Sequence, residues 1–300
     1  MNKIKYLSVL TGLILIIFLL LALIPPRLGE LFISSRADDI ERGAYLVQAA
    51  GCISCHISQD QPPALSGGQA LDSPFGTFFV PNITPDPETG IGTWTQLDLV
   101  RAIKHGRSPS GRIYFPAFPY RSYRGMADED AQAIAAWIMA QPPTIARVPS
   151  HELPVPVRVG QALMAGWNRL ANLLEPEFPV IFDEQIRRGA YLARNLGHCG
   201  ECHTPRNRLG IPDLNREFHG APVVDGEASA ITAEEFAEWS DEDFAFFLFL
   251  GLKPDGEYVG GEMEAVIEHN TSPLTEDDRL ALAAFFIRGQ NRLNSKANLD

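Results

Sequence analysis

The sequence predicts a mainly α protein, with two tandem domains of one kind behind an N-terminal transmembrane helix. Three observations predict this. An internal repeat runs through the chain. Glu41-Arg-Gly-Ala-Tyr-Leu46 pairs with Arg187-Arg-Gly-Ala-Tyr-Leu192, and Met126-Ala-Asp-Glu-Asp130 pairs with Leu274-Thr-Glu-Asp-Asp278. Residues 94–111 pair with 239–256 at equal spacing. Apolar residues recur at helical intervals, and no long run alternates, so strands should be few. Residues 6–24 form an uncharged apolar run, which at helical rise spans roughly 28 Å, enough to cross a bilayer.

The elements follow in order. Lys3 and Lys5 precede the apolar run, and Pro25, Pro26 and Arg27 end it. Ser35 and Ala37 could form a small-x-small cleavage site, but a peptidase normally cuts close behind the apolar core, so an uncleaved anchor is preferred. Each repeat then reads as a helix, a Pro/Gly-rich loop, a middle helix and a last helix. Asp38 and Asp183 stand where the first helices should be capped. Thr95 and Ser240 suit the starts of the middle helices. Asp128 or Ala127, and Thr275, open the last ones, which run to about Met139 and Ile287. Between the repeats, residues 142–184 are rich in proline, with one helical stretch at about 159–174 carrying Leu163, Trp167 and Leu170 on one side. It reads as a linker packed on both domains, with a partner-subunit clasp as the alternative. The expected boundaries are 1–36 for anchor and linker, 37–144 for the first domain, 145–182 for the Pro-rich linker and 183–300 for the second domain.

Composition is that of a globular protein, 45% apolar and 21% charged over 300 residues. The net charge of −12 argues against nucleic acid and anionic membrane surfaces as partners. Twenty-three prolines and 25 glycines suit a backbone that wraps a large flat group.

All four cysteines lie in one repeated motif, Cys-x-x-Cys-His: Cys52, Cys55 and His56, then Cys199, Cys202 and His203. Two thiols one helical turn apart can add to the two vinyl groups of a haem, and the adjoining imidazole can reach its iron. Two Cys-x-x-Cys pairs could instead share a zinc, and a single pair could be a thioredoxin-like redox site. Neither requires a histidine directly after both pairs. Two covalent haem c groups are therefore expected, with Cys52, Cys55, Cys199 and Cys202 as attachment points. Haem attachment and the lysines before the apolar run place the N-terminus in the cytoplasm. The expected location is the cytoplasmic membrane, with both domains in the periplasm.

Several stretches resemble one family. Phe75-Gly-Thr-Phe-Phe-Val-Pro-Asn-Ile-Thr-Pro-Asp-Pro-Glu-Thr-Gly-Ile-Gly92, Tyr114-Phe-Pro-Ala-Phe-Pro-Tyr120, Leu163-Met-Ala-Gly-Trp-Asn168 and Gly197-His-Cys-Gly-Glu-Cys-His-Thr-Pro-Arg206 are similar to the membrane-associated cytochrome c subunits of bacterial quinoprotein alcohol dehydrogenase and gluconate or sorbitol dehydrogenase. The resemblance covers about 38–288. It implies class I cytochrome c-like haem domains and a role in passing electrons from a periplasmic dehydrogenase to a downstream cytochrome, oxidase or quinone. Those subunits usually carry three haem motifs, and this chain has two.

His56 and His203 are the expected proximal ligands, each with its other ring nitrogen donating to a backbone carbonyl. Pro62 or Pro63, and Pro205, lie where such a carbonyl is plausible. Met263, in a Gly/Glu-rich loop where the resembling family places its methionine, is the expected distal ligand of the second haem. In the first repeat the same slot, seven residues past Gly111, holds Phe118. Met126 is the nearest sulfur, but it aligns with Leu274 in a helix-staple position, so packing is its first reading and ligation its second. His105 is a weaker candidate. No nucleotide fingerprint or Gly-x-Ser-x-Gly appears, so no substrate chemistry and no catalytic residue is assigned. An enzyme using an open-sided first haem, peroxidase-like, is the alternative.

Overall fold

The computed structural model describes residues 6, 12–13, 16, 37–57, 65–224 and 226–290. The predicted span 6–24 therefore lies outside the described residues but for four positions. Among the described residues no helix is long and apolar enough to cross a membrane.

The described chain is mainly helical, and the sequence repeat returns as two similar halves. In the first, α1 (Ala37–Ala49) leads into α2 (Cys52–His56), a loop with the short pair β1 (Ala70–Leu71) and β2 (Phe78–Phe79), then α3 (Gln96–His105), α4 (Tyr120–Tyr123) and α5 (Asp128–Met139). After the linker helices α6 (Val155–Gly160) and α7 (Met164–Leu173), the second half repeats the plan. It has α8 (Glu184–Tyr191), continued as a π-helical turn to Leu196, α9 (Gly200–His203), the antiparallel pair β3 (Ala221–Val223) and β4 (Gly226–Ala228), α10 (Asp241–Leu250), α11 (Glu262–Val266) and α12 (Glu276–Ala283), which a π-helical segment extends to Gly289. The expectation of few strands holds.

The caps explain where the helices begin. Thr95 and Ser240 each accept from the backbone N–H three residues on, while Asp98 and Asp243 accept the cap's own N–H, closing a capping box at α3 and at α10. Asp183 caps α8 and Thr275 caps α12. Helix α1 starts at Ala37, which puts Asp38 inside the helix rather than before it. At α5 the cap position is Ala127, which offers no side-chain acceptor.

In each half the first helix crosses the last at a glycine. A Cβ on Gly43 would lie 2.1 Å from the Ala133 carbonyl oxygen, and one on Gly189 would lie 1.9 Å from that of Ala281. Only a residue without a side chain allows backbone this close, which is why the Arg-Gly-Ala-Tyr repeat contains glycine. Around these crossings one continuous apolar core forms, including Val47, Leu99, Ile134 and Ile138 from the first half and Leu192, Leu196, Phe244 and Phe285 from the second.

The linker packs on its own chain. Asn168 of α7 accepts from the Tyr120 hydroxyl at 3.1 Å, Glu175 pairs with Arg121 and Arg124, and Trp167 donates to the Leu209 carbonyl at 2.8 Å. Its buried face is Gly166 and Ala171, whereas Leu163 is 53% exposed. Of the expected Leu163–Trp167–Leu170 side, Trp167 and Leu170 are half-buried and Leu163 is not. The large indole lies at the edge because its N–H must reach a carbonyl, and the small residues let α7 sit close.

Candidate haem centres

Both Cys-x-x-Cys-His motifs fold as a short helix at the end of a long one. Gly51, at φ 66°, ends the first helix and starts α2, so Cys52 and Cys55 fall on one helical face with His56 next to them. Cys199, Cys202 and His203 take the same arrangement in α9. All four thiols are free. Burial pushes the Cys52 and Cys199 thiols up to about 12. That is opposite to a thioredoxin-like site, which needs a stabilised thiolate. Among the described residues no three His, Cys, Asp or Glu side chains gather as a metal ion would require, so the two pairs do not converge on a shared zinc.

The histidines are held alike. His56 Nδ1 lies 2.8 Å from the Pro81 carbonyl oxygen, and His203 Nδ1 lies 2.7 Å from that of Ser229. A carbonyl can only accept, so each Nδ1 carries the proton and each Nε2 keeps its lone pair. Burial also keeps both rings neutral, moving His56 down to about 4 and lowering His203. The expected acceptors near Pro62, Pro63 and Pro205 are not the ones used. Pro62 and Pro63 lie outside the described residues. The loop returning over each motif brings the acceptor from further along the chain, beyond the reach of local reading.

The loops match in detail. His56 and His203 carbonyls accept from Gly67 and Gly220 at 2.8 Å, and the Leu65 and Phe218 carbonyls accept from Ile83 and Ile231 at 2.9 Å. Leu65 (φ 81°) and Phe218 (φ 66°) are both left-handed non-glycine residues and almost fully buried. Such strain persists only where surrounding packing over-determines it, and here it turns each loop back over its motif. The 75–92 run has a matching purpose in the first half. Asn82 donates to the Thr144 carbonyl at 2.8 Å and to Thr89 at 3.0 Å, which pins the backbone directly after Pro81.

At the positions of the expected distal residues the halves differ. Met263 sits half-buried in the first turn of α11, two residues after the cap Gly261 at φ 68°. The expected loop is thus a short helix. Its neighbour Glu262 lies close enough to Cys202 for its charge to push that thiol further up, after burial. Phe118 packs half-buried among Tyr114, Tyr120 and Tyr123, with ring centroids 5.8–6.4 Å apart. Phe115 turns away to Phe78. Met126 is 2% exposed and joins the core with its counterpart Leu274. His105 lies in the last turn of α3 and lines a groove with Tyr120, Arg121 and Asn168 against the linker helix.

Free thiols on one helical face, a neutral imidazole with its outer nitrogen available, and a returning loop fit haem c at each motif. The cytochrome c family model matches residues 40–142. A dihaem cytochrome c-type protein of Cereibacter sphaeroides is 40% identical over 86% of this chain and 88% of its own length. The chain belongs to the cytochrome c family. This cytochrome also resembles the cytochrome subunit of fructose dehydrogenase from Gluconobacter japonicus, 35% identical over 84% of the chain. The gluconate 2-dehydrogenase cytochrome c subunit of Pantoea cypripedii is 32% identical over 86%. It spans 53% and 62% of the length of those two relatives. A cytochrome c carries electrons on haem c, so this chain's chemistry is electron transfer.

One feature escaped the sequence reading: the two motif segments lie beside each other. A Cβ at Gly51 would lie 3.3 Å from His198 Cε1, and the Tyr123 and His198 rings meet edge-on at 5.4 Å. Ser122 donates to Glu201, between the cysteines of the second motif, at 2.8 Å. Position 198, inside the second motif's run, was the available signal.

Proposed function

We propose that this cytochrome is a membrane-anchored dihaem relay. It takes electrons from a periplasmic dehydrogenase and delivers them to a downstream cytochrome, oxidase or quinone. The observation that carries the reading is the duplicated histidine arrangement, with Nδ1 on a loop carbonyl and Nε2 free in both motifs. Bound haem c supplies reversible one-electron chemistry. Cys52 with Cys55, and Cys199 with Cys202, would hold one group each through thioether links. His56 and His203 would each supply an imidazole ligand to one iron, and Met263 would supply a thioether ligand to the second. Residues 6–24 anchor the chain in the cytoplasmic membrane, with the N-terminus in the cytoplasm and the domains 37–144 and 183–300 in the periplasm. The names of the fructose and gluconate dehydrogenase cytochrome subunits support a dehydrogenase as donor. The acidic surface suits a basic donor face.

The peroxidase-like alternative needs an acid or base beside Phe118. The rings packed there are tyrosines. Tyr120 donates to Asn168 and Tyr123 to the Ala50 carbonyl, and burial raises the Tyr114 phenol to about 12. None of the three is poised to exchange a proton near neutrality, which favours the relay.

Intact mass after acid-acetone extraction tests the reading. A gain of two haems supports it, and extractable haem or bound zinc refutes it. Cell fractionation with N-terminal sequencing tests the anchor, since a soluble protein beginning near Asp38 would show that 6–24 is cleaved.

A further inference from the structure

The repeated Arg-Gly-Ala-Tyr motif is not used by either candidate haem site, yet both copies meet at the boundary between the halves. Tyr191, from the second half, donates to Asp130 of α5 at 2.5 Å, and its oxygen accepts the Ala127 backbone N–H at 3.1 Å. Tyr45, from the first half, donates to Asp278 of α12 at 2.5 Å, and its oxygen lies 3.3 Å from the Thr275 backbone nitrogen that donates to it. Ala127 and Thr275 are the cap residues of those helices, and Asp130 and Asp278 stand three residues on.

In α3 and α10 the carboxylate three residues into the helix accepts the cap's N–H directly. In α5 and α12 a tyrosine hydroxyl from the opposite half stands between the two. The box is closed in trans, and reciprocally. The repeated arginines complete each set within their own half. Arg42 pairs with Asp130, and Arg188 makes two bonds to Asp278 at 2.8 and 2.7 Å. This also explains why α5 manages with alanine at its cap.

Tyr45 and Tyr191 lie on the helices that end in the Cys-x-x-Cys-His motifs. We propose that Tyr45, Asp278, Tyr191 and Asp130 are positioning residues for electron transfer between the two haems, locking the two motif-bearing helices in one mutual orientation. The proposal rests on the dihaem reading above. One electron passes from a reduced to an oxidised group, and its rate falls steeply with separation, so the device that fixes separation sets the rate. A hydrogen bond is directional where apolar attraction is not, so a hydroxyl bridge at each of the two contacts fixes the register of the halves as well as their contact.

The test replaces both hydroxyls, in Tyr45→Phe/Tyr191→Phe, in the full haem-loaded protein. Intact mass is read first. A wild type with one haem overturns the dihaem reading before any variant is made. With two haems present, Soret circular dichroism reports their mutual orientation as a two-signed couplet. The expected result is loss of most of that couplet, with each haem's own absorption bands unchanged and faster amide exchange at Ala127 and Thr275. Should the double variant fail to fold, Tyr45→Phe alone is read in the same way and is expected to weaken the couplet. A lowered melting temperature with a wild-type couplet means the tyrosines only stabilise helices, and overturns the proposal.

Discussion

A thioether ligand favours ferrous iron and raises its potential, so the half-buried sulfur of Met263 has a direct readout. Met263→Ala should lower the potential of one haem and remove its thioether-to-iron band. Unchanged potentials would take Met263 out of the site. Met126 sits in the core, where Met126→Leu conserves volume and should cost less than about 1.5 kcal/mol. The expected outcome is unchanged haem spectra in that variant, while Phe118→Met creates a new thioether band. A high-spin haem in an intact Met126→Leu protein would instead make Met126 the ligand. Phe118 was identifiable in the sequence because the repeat puts it in the methionine slot. Its ring contacts with Tyr114 and Tyr123 were not, since they form only once the chain folds.

Among the elements, the first-on-last helix crossings bring backbone against backbone. At Gly189 an added Cβ would meet the Ala281 carbonyl carbon at 2.6 Å as well as its oxygen, both of them backbone that cannot swing aside. Gly189→Ala should therefore destabilise by about 1–3 kcal/mol, read as a lower denaturant midpoint at constant slope. Gly260→Ala is the control, because a Cβ there meets nothing within 4 Å. A Gly189→Ala midpoint equal to the control's would show that the helices separate freely. The helices, their caps at Thr95, Ser240, Asp183 and Thr275, and their lengths were legible because capping and periodicity are local. The buried side of the linker helix was not, since Gly166 and Ala171 reveal themselves as contacts only once a neighbour lies against them.

Across the whole molecule, the boundary between the halves carries a pH dependence. Burial would raise the Asp278 carboxyl, but hydrogen bonds from Arg188 and Tyr45 and the Arg188 charge outweigh it and hold the group below its ordinary value. A carboxyl depressed in the folded state contributes stability that is complete above its unfolded pKa, about 4. The contribution is lost as pH falls through the folded value. Stability should thus drop below about pH 4, and Asp278→Asn should flatten that acid limb while lowering the neutral plateau. An acid limb as steep in Asp278→Asn as in wild type would assign the loss to other carboxylates.

The sequence by itself determined the chemistry and the plan. Cys-x-x-Cys-His twice, the repeat, the caps and the methionine-for-phenylalanine difference are all short-range patterns, and short-range patterns can be read in order along a chain. Only the tertiary structure decided which carbonyls orient His56 and His203, that Leu65 and Phe218 carry the strain of the returning loops, and that Tyr45 and Tyr191 each bridge the start of the last helix of the opposite half. The histidine and tyrosine bonds join groups from 25 to 233 residues apart, and the loop turns close only once each loop folds back over its motif. Such meetings are set by how the helices cross and how the halves pack. No local preference of the residues involved encodes them.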